Sequence, residues 1–237
     1  MADKTRKLPV KSNQAEVDAF LAKVARTPAA KASGTRGRLI FAMDATASRE
    51  PTWDRACHIQ SEMFLETEAL GGLDIQLCYY RGFREFSTTA WLNSSADLLT
   101  QMRDVRCAGG MTQIERVLKH AAAESRKKKV DALVFVGDCM EENIDQLCHL
   151  AGELGILGVP AFLFHEGDDA AAERTFNEIA RLSGGAYCRF DANSAQQLRD
   201  LLSAVAVFAA GGRRALEDFG KRQGGVALRL THQLKRG

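Results

Sequence analysis

The sequence predicts an α/β protein with a doubly wound, mostly parallel, six-stranded sheet, helices on both faces and one antiparallel edge strand. Three observations predict it. Two uninterrupted apolar runs, Leu39 to Met43 and Ala132 to Val136, have the length and composition of strands buried on both faces. Strand-like and helical segments alternate from residue 37 to about 210, as βαβ units do. Both apolar runs lead straight to a carboxylate, Asp44 and Asp138. The carboxyl ends of strands line the ligand crevice of an open parallel sheet.

The elements follow in order. From Gln14 to Arg26 the apolar positions Val17, Phe20, Leu21 and Val24 fall at helical spacing, and Thr27-Pro28 closes that helix. A small-residue linker leads into the strand 38–44. Pro51 suits the first turn of the next helix, whose buried side takes Trp53, Ala56, Cys57, Met63 and Phe64 before Gly71-Gly72 stops it. Leu73 to Tyr80 alternates apolar with polar, a half-buried strand further out in the sheet. Gly82 turns the chain into a short hairpin strand at Phe83–Phe86. A loop with one short helix near 95–103 ends on Gly109-Gly110, and a helix from about 113 to 128 carries Ile114, Val117, Leu118 and Ala121 on one face. After the strand 131–137 come a helix near 143–154, a strand at 159–165, a helix at about 170–182, a strand at 186–190 and a last helix near 195–209. The strands 38–43 and 132–136 should lie side by side at the centre.

Charge divides the chain further. The net charge of +2 conceals +5 in residues 1–37, −8 in 38–210 and +5 in 211–237, an acidic body between basic ends. The expected organisation is a basic extension over 1–36 with one amphipathic helix, a domain over 37–210, and a basic tail over 211–237. The six cysteines (57, 78, 107, 139, 148 and 188) form no C-x-x-C pair and read as reduced thiols of a cytoplasmic protein. The longest apolar stretch, Leu201 to Ala210, is about half of what a bilayer requires.

Three places offer oxygen donors: Asp44, Thr46 and Ser48 after the first strand, Thr112 after Gly109-Gly110, and Asp138 after the central strand. In the strand order 3-2-1-4-5-6 the first and fourth strands flank the switch point, so Asp44 and Asp138 should face each other there with Thr112 above. Oxygen donors without imidazole or paired thiolates suit magnesium better than zinc. Each residue also has a plainer reading. Thr112-Gln113-Ile114-Glu115 matches a capping box, Thr46 and Ser48 suit the cap of the helix near Pro51, and Asp138 suits a turn. Glu141 and Glu142 read as solvated carboxylates at a helix start. His58, His120, His149 and His165 read as surface or core residues. Arg126-Lys127-Lys128-Lys129 reads as a solvated helix end where cations suit the macrodipole.

The arrangement resembles the von Willebrand factor A (VWA) domain and its metal-ion-dependent adhesion site (MIDAS), which carries D-x-S-x-S, a distant Thr and a distant Asp. The resemblance covers roughly residues 36–210, and Asp44, Thr46, Ser48, Thr112 and Asp138 fill all five positions. Thr46 stands where Ser is usual, and Cys139 follows Asp138 where Gly is common. The resemblance implies that Thr46 and Ser48 bind Mg²⁺ directly, with Mn²⁺ the other ion expected. Thr112 then joins when ligand is present, and Asp44 and Asp138 act largely through water. A partner protein completes the shell with an Asp or Glu, which makes the chain an interaction module and not an enzyme. Adaptors of larger assemblies, AAA-type ATPases among them, are what such soluble domains often are.

Two other readings stand beside it. A haloacid dehalogenase-type phosphohydrolase also places an Asp after its first strand and a Gly-Asp after a later one, which would make Asp44 a nucleophile, with Gly137-Asp138 and Glu142 in support. The basic ends, with Lys4, Arg6, Lys7, Lys11, Arg213, Arg214, Lys221 and Arg222, suit association with nucleic acid by charge alone.

Overall fold

A computed structural model describes residues 19–20, 22–23, 36–49, 72–190 and 195–223. Six strands, β1 (Gly37–Asp44), β2 (Leu73–Arg81), β3 (Glu85–Thr88), β4 (Ala132–Gly137), β5 (Ala161–Glu166) and β6 (Ala186–Phe190), form one sheet in the order β3-β2-β1-β4-β5-β6. All neighbours pair in parallel except β2 and β3. The sheet is the one expected, with its antiparallel edge at β3. β1 and β4 lie side by side, Met43 opposite Val136.

The uninterrupted apolar runs are explained by what covers each face. Leu39, Phe41 and Met43 join Val134, Val136, Phe162 and Phe164 in one core, while Ile40, Ala42, Leu133, Phe135 and Leu163 join a second. Successive strand residues point to opposite faces, so a strand covered on both sides must be apolar throughout. The first face is covered by α1 (Ser95–Arg103), through Leu98 and Met102, and by α5 (Ala195–Gln223), through Leu202 and Val205 to Ala210. Covering the second are α2 (Ile114–Lys127), α3 (Ile144–Ile156) and α4 (Ala170–Ser183).

Helix starts follow local chemistry. Ser94, Asn143 and Asp169 each accept the N–H three residues on, satisfying donors the helix cannot. α4 ends on Gly184 at φ 77°, the left-handed position that glycine fills without strain.

Four expectations change. The alternating strand is less exposed than its pattern implies, because Gln76 and Cys78 are buried with Tyr80. Gln76 reaches partners there, donating to the Thr89 carbonyl at 3.0 Å and meeting His120 Nε2 at 2.8 Å. The hairpin strand begins at Glu85, since Gly82, Phe83 and Arg84 form the turn. The last helix continues past 209 to Gln223 with a break at Gly212, because Ala215 and Phe219, four residues apart, bury themselves in the first core. Phe20 packs its ring against Phe162 and Phe164 at 6.1 and 5.3 Å, so the segment before the sheet contributes to the core. The helix expected after Pro51, Cys57, His58, and the side chains of Lys4, Arg6, Lys7, Lys11, Arg213, Arg214, Lys221 and Arg222 lie outside the described residues.

Candidate metal centre

At the carboxyl end of β1 the chain turns sharply on its own carboxylate. Asp44 Oδ1 accepts the N–H of Thr46 at 2.7 Å, and Oδ2 accepts the Tyr80 hydroxyl at 3.0 Å. Thr46 and Ser48 Oγ atoms lie 3.1 Å apart. Asp44 and Thr46 are buried, while Ser48 is exposed. Two hydroxyls at alternate positions therefore sit together on the lip of the crevice.

Across the switch point, β4 delivers Asp138 and Cys139. Carboxylate oxygens of Asp44 and Asp138 and the Cys139 sulfur lie within 4.8 Å of one another. Gly137 precedes them, and a Cβ there would meet the Phe135 ring at 2.8 Å. From behind, His165 Nε2 faces the Asp138 carbonyl at 3.3 Å while Nδ1 faces the Tyr187 hydroxyl at 3.0 Å. Burial pulls the imidazole below its ordinary range. A neutral ring donating from Nε2 to that carbonyl, and accepting at Nδ1, fits both partners. His165 is a core residue that braces the turn after β4.

The electrostatics are those of crowded anions. Burial raises the Asp44 carboxyl, the Thr46 N–H and hydroxyl oppose that, and the Asp138 charge adds to it. Cys139 is pushed up to about 12, by burial first and then by Asp138 and Asp44. Burial, then the Asp44 charge, holds Tyr80 far above its usual range, so it remains a donor to Asp44.

Thr112 is buried on the loop entering α2, and its polar contacts run to Glu141. Its Oγ1 accepts the Glu141 N–H at 3.1 Å, and its own N–H donates to Glu141 Oε2 at 3.1 Å. The capping box does not form: Gln113 is the N-cap residue, and its side chain makes no capping bond. Glu142 caps the helix instead, its oxygens accepting the N–H groups of Ile114 at 2.5 Å and Glu115 at 2.8 Å. Glu142 is therefore a helix cap and not a solvated carboxylate, whereas Glu141 is exposed, as expected, while its carboxylate accepts the Thr112 N–H. Their placement next to Asp138 in sequence was visible; the helix they serve, some 28 residues away, was not.

The loop leading to Thr112 is stitched to the strand ends. Ala45 N–H donates to the Tyr80 carbonyl at 2.9 Å, and Ala108 N–H to the Ala45 carbonyl at 3.1 Å. Gly110 passes so close to Gly82 that a Cβ would lie 2.1 Å from the Gly82 carbonyl oxygen.

The residues fit a divalent cation. Asp138 Oδ1 is buried without a hydrogen-bond partner, and an orphaned buried carboxylate oxygen calls for compensation. A second buried carboxylate beside it raises that need. The expected donors thus fall into two groups: Asp44, Thr46 and Ser48 on one lip with Asp138 opposite, and Thr112 joined to the Asp138 turn through Glu141.

Strand order and site together define a class: a doubly wound α/β protein with a carboxylate-lined centre at its switch point. Its fold is that of the von Willebrand factor A domain. The SpRpn10 VWA domain matches at TM-score 0.56 and 12% identity over 75% of this chain and 98% of that one. Proximal thread matrix protein 1 from the mussel byssus, with a zinc-occupied MIDAS motif, matches at 0.61 and 14% over 76% of this chain and 48% of its own. The pilus adhesin SpaC from Lactobacillus rhamnosus GG matches at 0.57 and 11%, covering 81% of this chain and 31% of the adhesin. This chain thus spans about half of the mussel protein and a third of the adhesin. No protein-family model matches the chain, and no curated protein matches it in sequence. Among the described residues no helix is long and apolar enough to cross a membrane.

Proposed function

We propose that the chain is a metal-dependent protein-interaction module in which Asp44, Thr46, Ser48, Thr112 and Asp138 hold a divalent cation and a partner protein offers it an Asp or Glu. The observation that carries this reading is the buried, unpartnered Asp138 Oδ1 beside the Asp44 carboxylate. The five oxygen donors suit Mg²⁺, with Mn²⁺ next. When bound, the ion supplies an electrophilic position for a carboxylate. The chain's own part is to orient. Asp44 fixes the turn that presents Thr46 and Ser48, and Glu141 holds Thr112 against the opposite lip.

The surroundings suit a protein partner. Of the exposed large apolar side chains among the described residues, Phe83 and Met111 lie on connections and Ile144 at the first residue of α3, all at the site's end of the sheet, whereas Ile156 lies at the far end of α3. Exposed apolar groups around a polar centre are what a docking surface requires. Nucleic acid is a weaker fit for the basic run in the body: Arg126 pairs with Glu153, Lys127 with Glu124, and Lys129 with the Leu157 and Gly158 carbonyls. The role extends, through the resemblance, to an adaptor or regulator of a larger cytoplasmic assembly such as an AAA-type ATPase.

Affinity capture from a lysate tests the reading, run in Mg²⁺, in EDTA and with Asp138→Ala. Partners held in Mg²⁺ alone support it. A partner set unchanged across all three arms overturns the metal-bridged contact.

A further inference from the structure

The Cys139 side chain has no place in a five-oxygen site, yet its sulfur is one of three ligand-capable atoms within 4.8 Å of one another. We propose that this centre takes a thiophilic divalent ion of the zinc class, with the Cys139 sulfur as a ligand beside Asp44 and Asp138. The proposal rests on the metal-dependent reading above and changes which ion it names.

Ligand chemistry is the first argument. Thiolate donors select zinc-class ions, whereas carboxylate, carbonyl and water donors alone suit magnesium. Zinc bonds to sulfur and to carboxylate oxygen at about 2.3 and 2.0–2.2 Å. Donors around one tetrahedral ion of this kind lie about 3.4–3.7 Å apart, so atoms separated by the observed limit of 4.8 Å close by about 1 Å through side-chain rotation when the ion binds. The second argument is independent of the cysteine. Asp138 Oδ1 is buried with no hydrogen-bond partner, so one oxygen of that carboxylate lacks a compensating donor or cation.

Packing does not explain the residue equally well. A cysteine serving as a small apolar filler belongs among apolar side chains. Cys139 instead sits half-buried between two carboxylates, surroundings in which a filler gains little. With an ion present the sulfur binds as thiolate, its proton passing to solvent, and the anionic neighbours become joint ligands. The hydroxyls of Thr46 and Ser48, 3.1 Å apart, stand on the lip nearest Asp44.

The experiment titrates the full chain, reduced, with Co²⁺, Zn²⁺ and Mg²⁺ separately. The near-ultraviolet thiolate-to-cobalt charge-transfer absorption is followed with Co²⁺, and heats of binding with Zn²⁺ and Mg²⁺. The proposal expects that absorption to saturate at one equivalent of Co²⁺, to vanish on adding Zn²⁺, and to be missing in Cys139→Ser. Zn²⁺ affinity should fall at least about 10–100-fold in that variant, with Mg²⁺ affinity unchanged. Alkylation of the unsubstituted chain, mapped by cysteine, removes dependence on the variant's folding: Zn²⁺ should protect Cys139 and leave the protection of Cys107 and Cys148 unchanged. Co²⁺ binding without the charge-transfer absorption, with Cys139 alkylated equally with and without Zn²⁺, overturns the inference and leaves an oxygen-only metal site standing. No binding of any of the three ions overturns both.

Discussion

Thr112 and Glu141 hold each other twice: the threonine hydroxyl accepts the glutamate N–H, and the threonine N–H donates to the glutamate carboxylate, both at 3.1 Å. The turn that carries Asp138 and the loop that enters α2 are therefore one unit, and Thr112 is positioned through a backbone contact. Thr112→Val keeps the shape and removes the hydroxyl, leaving the Glu141 N–H without its acceptor. The expected loss is about 0.5–1.5 kcal/mol of stability, read by urea denaturation, together with weaker cation-dependent capture of a partner. Thr112→Ser should restore both, since it returns the oxygen.

Gly109 and Gly110 separate local flexibility from close approach. A Cβ on Gly109 meets nothing within 4 Å, whereas one on Gly110 would strike the Gly82 carbonyl oxygen at 2.1 Å. Gly109→Ala should therefore leave stability and cation affinity near those of the unsubstituted chain. Gly110→Ala must push the two backbones apart and displace the loop before Thr112. Thermal denaturation of the pair is the check, and equal midpoints would show that the approach is not needed.

Glu142 replaces the cap that Gln113 does not supply. Its carboxylate takes two N–H groups at the start of α2, where negative charge also suits the helix dipole. Glu142→Ala should cost about 0.5–2 kcal/mol, the range for a lost helix cap. Glu142→Gln, which retains an acceptor oxygen without the charge, should fall between. Amide exchange at Ile114 and Glu115 should quicken in both variants, most in the alanine.

The sheet order was legible because its evidence is local: Leu39 to Met43 and Ala132 to Val136 are apolar at every position, and only a strand covered on both faces needs that. Asp44 and Asp138 were legible for the same reason, each ending such a run. Glu142 was not, because a cap delivered from 28 residues away leaves no spacing signal, and the nearer Thr112-to-Glu115 pattern offered a complete but unused alternative. Gln76 misled in the opposite direction. A polar residue in an alternating strand reads as solvent-facing, yet here Thr89 and His120 satisfy it inside. The last helix reads as ending near 209, and only the burial of Ala215 and Phe219 shows why it resumes after Gly212.

His120 gives stability a pH dependence of definite sign. Burial holds its imidazole below the ordinary range, Lys127 adds to that, and Glu124 opposes it. Between the folded value and the unfolded value near 6.5 the unfolded chain binds the proton and the folded chain does not. Stability is therefore complete above about pH 6.5 and declines as pH falls below it. His120→Gln should flatten that decline in urea denaturation measured from pH 7.5 to 5. Flattening will be partial, because burial also lowers His165.

Tyr80 tests whether Asp44 is coupled to a cation. The two side chains are fully buried, and the phenol donates to Asp44 Oδ2 at 3.0 Å. Tyr80→Phe preserves the ring stacked near Phe135 at 6.3 Å, so the change isolates the hydroxyl. Without that donor, a buried carboxylate oxygen loses its partner, which costs about 1–3 kcal/mol. A divalent ion at the site would compensate the same oxygen's charge and, by binding the folded state alone, add its own stabilisation. The deficit of the phenylalanine variant should therefore shrink when urea denaturation is repeated in saturating divalent cation. An identical deficit with and without the ion would mean that Asp44 answers only to Tyr80 and Thr46, and that no cation shares its charge.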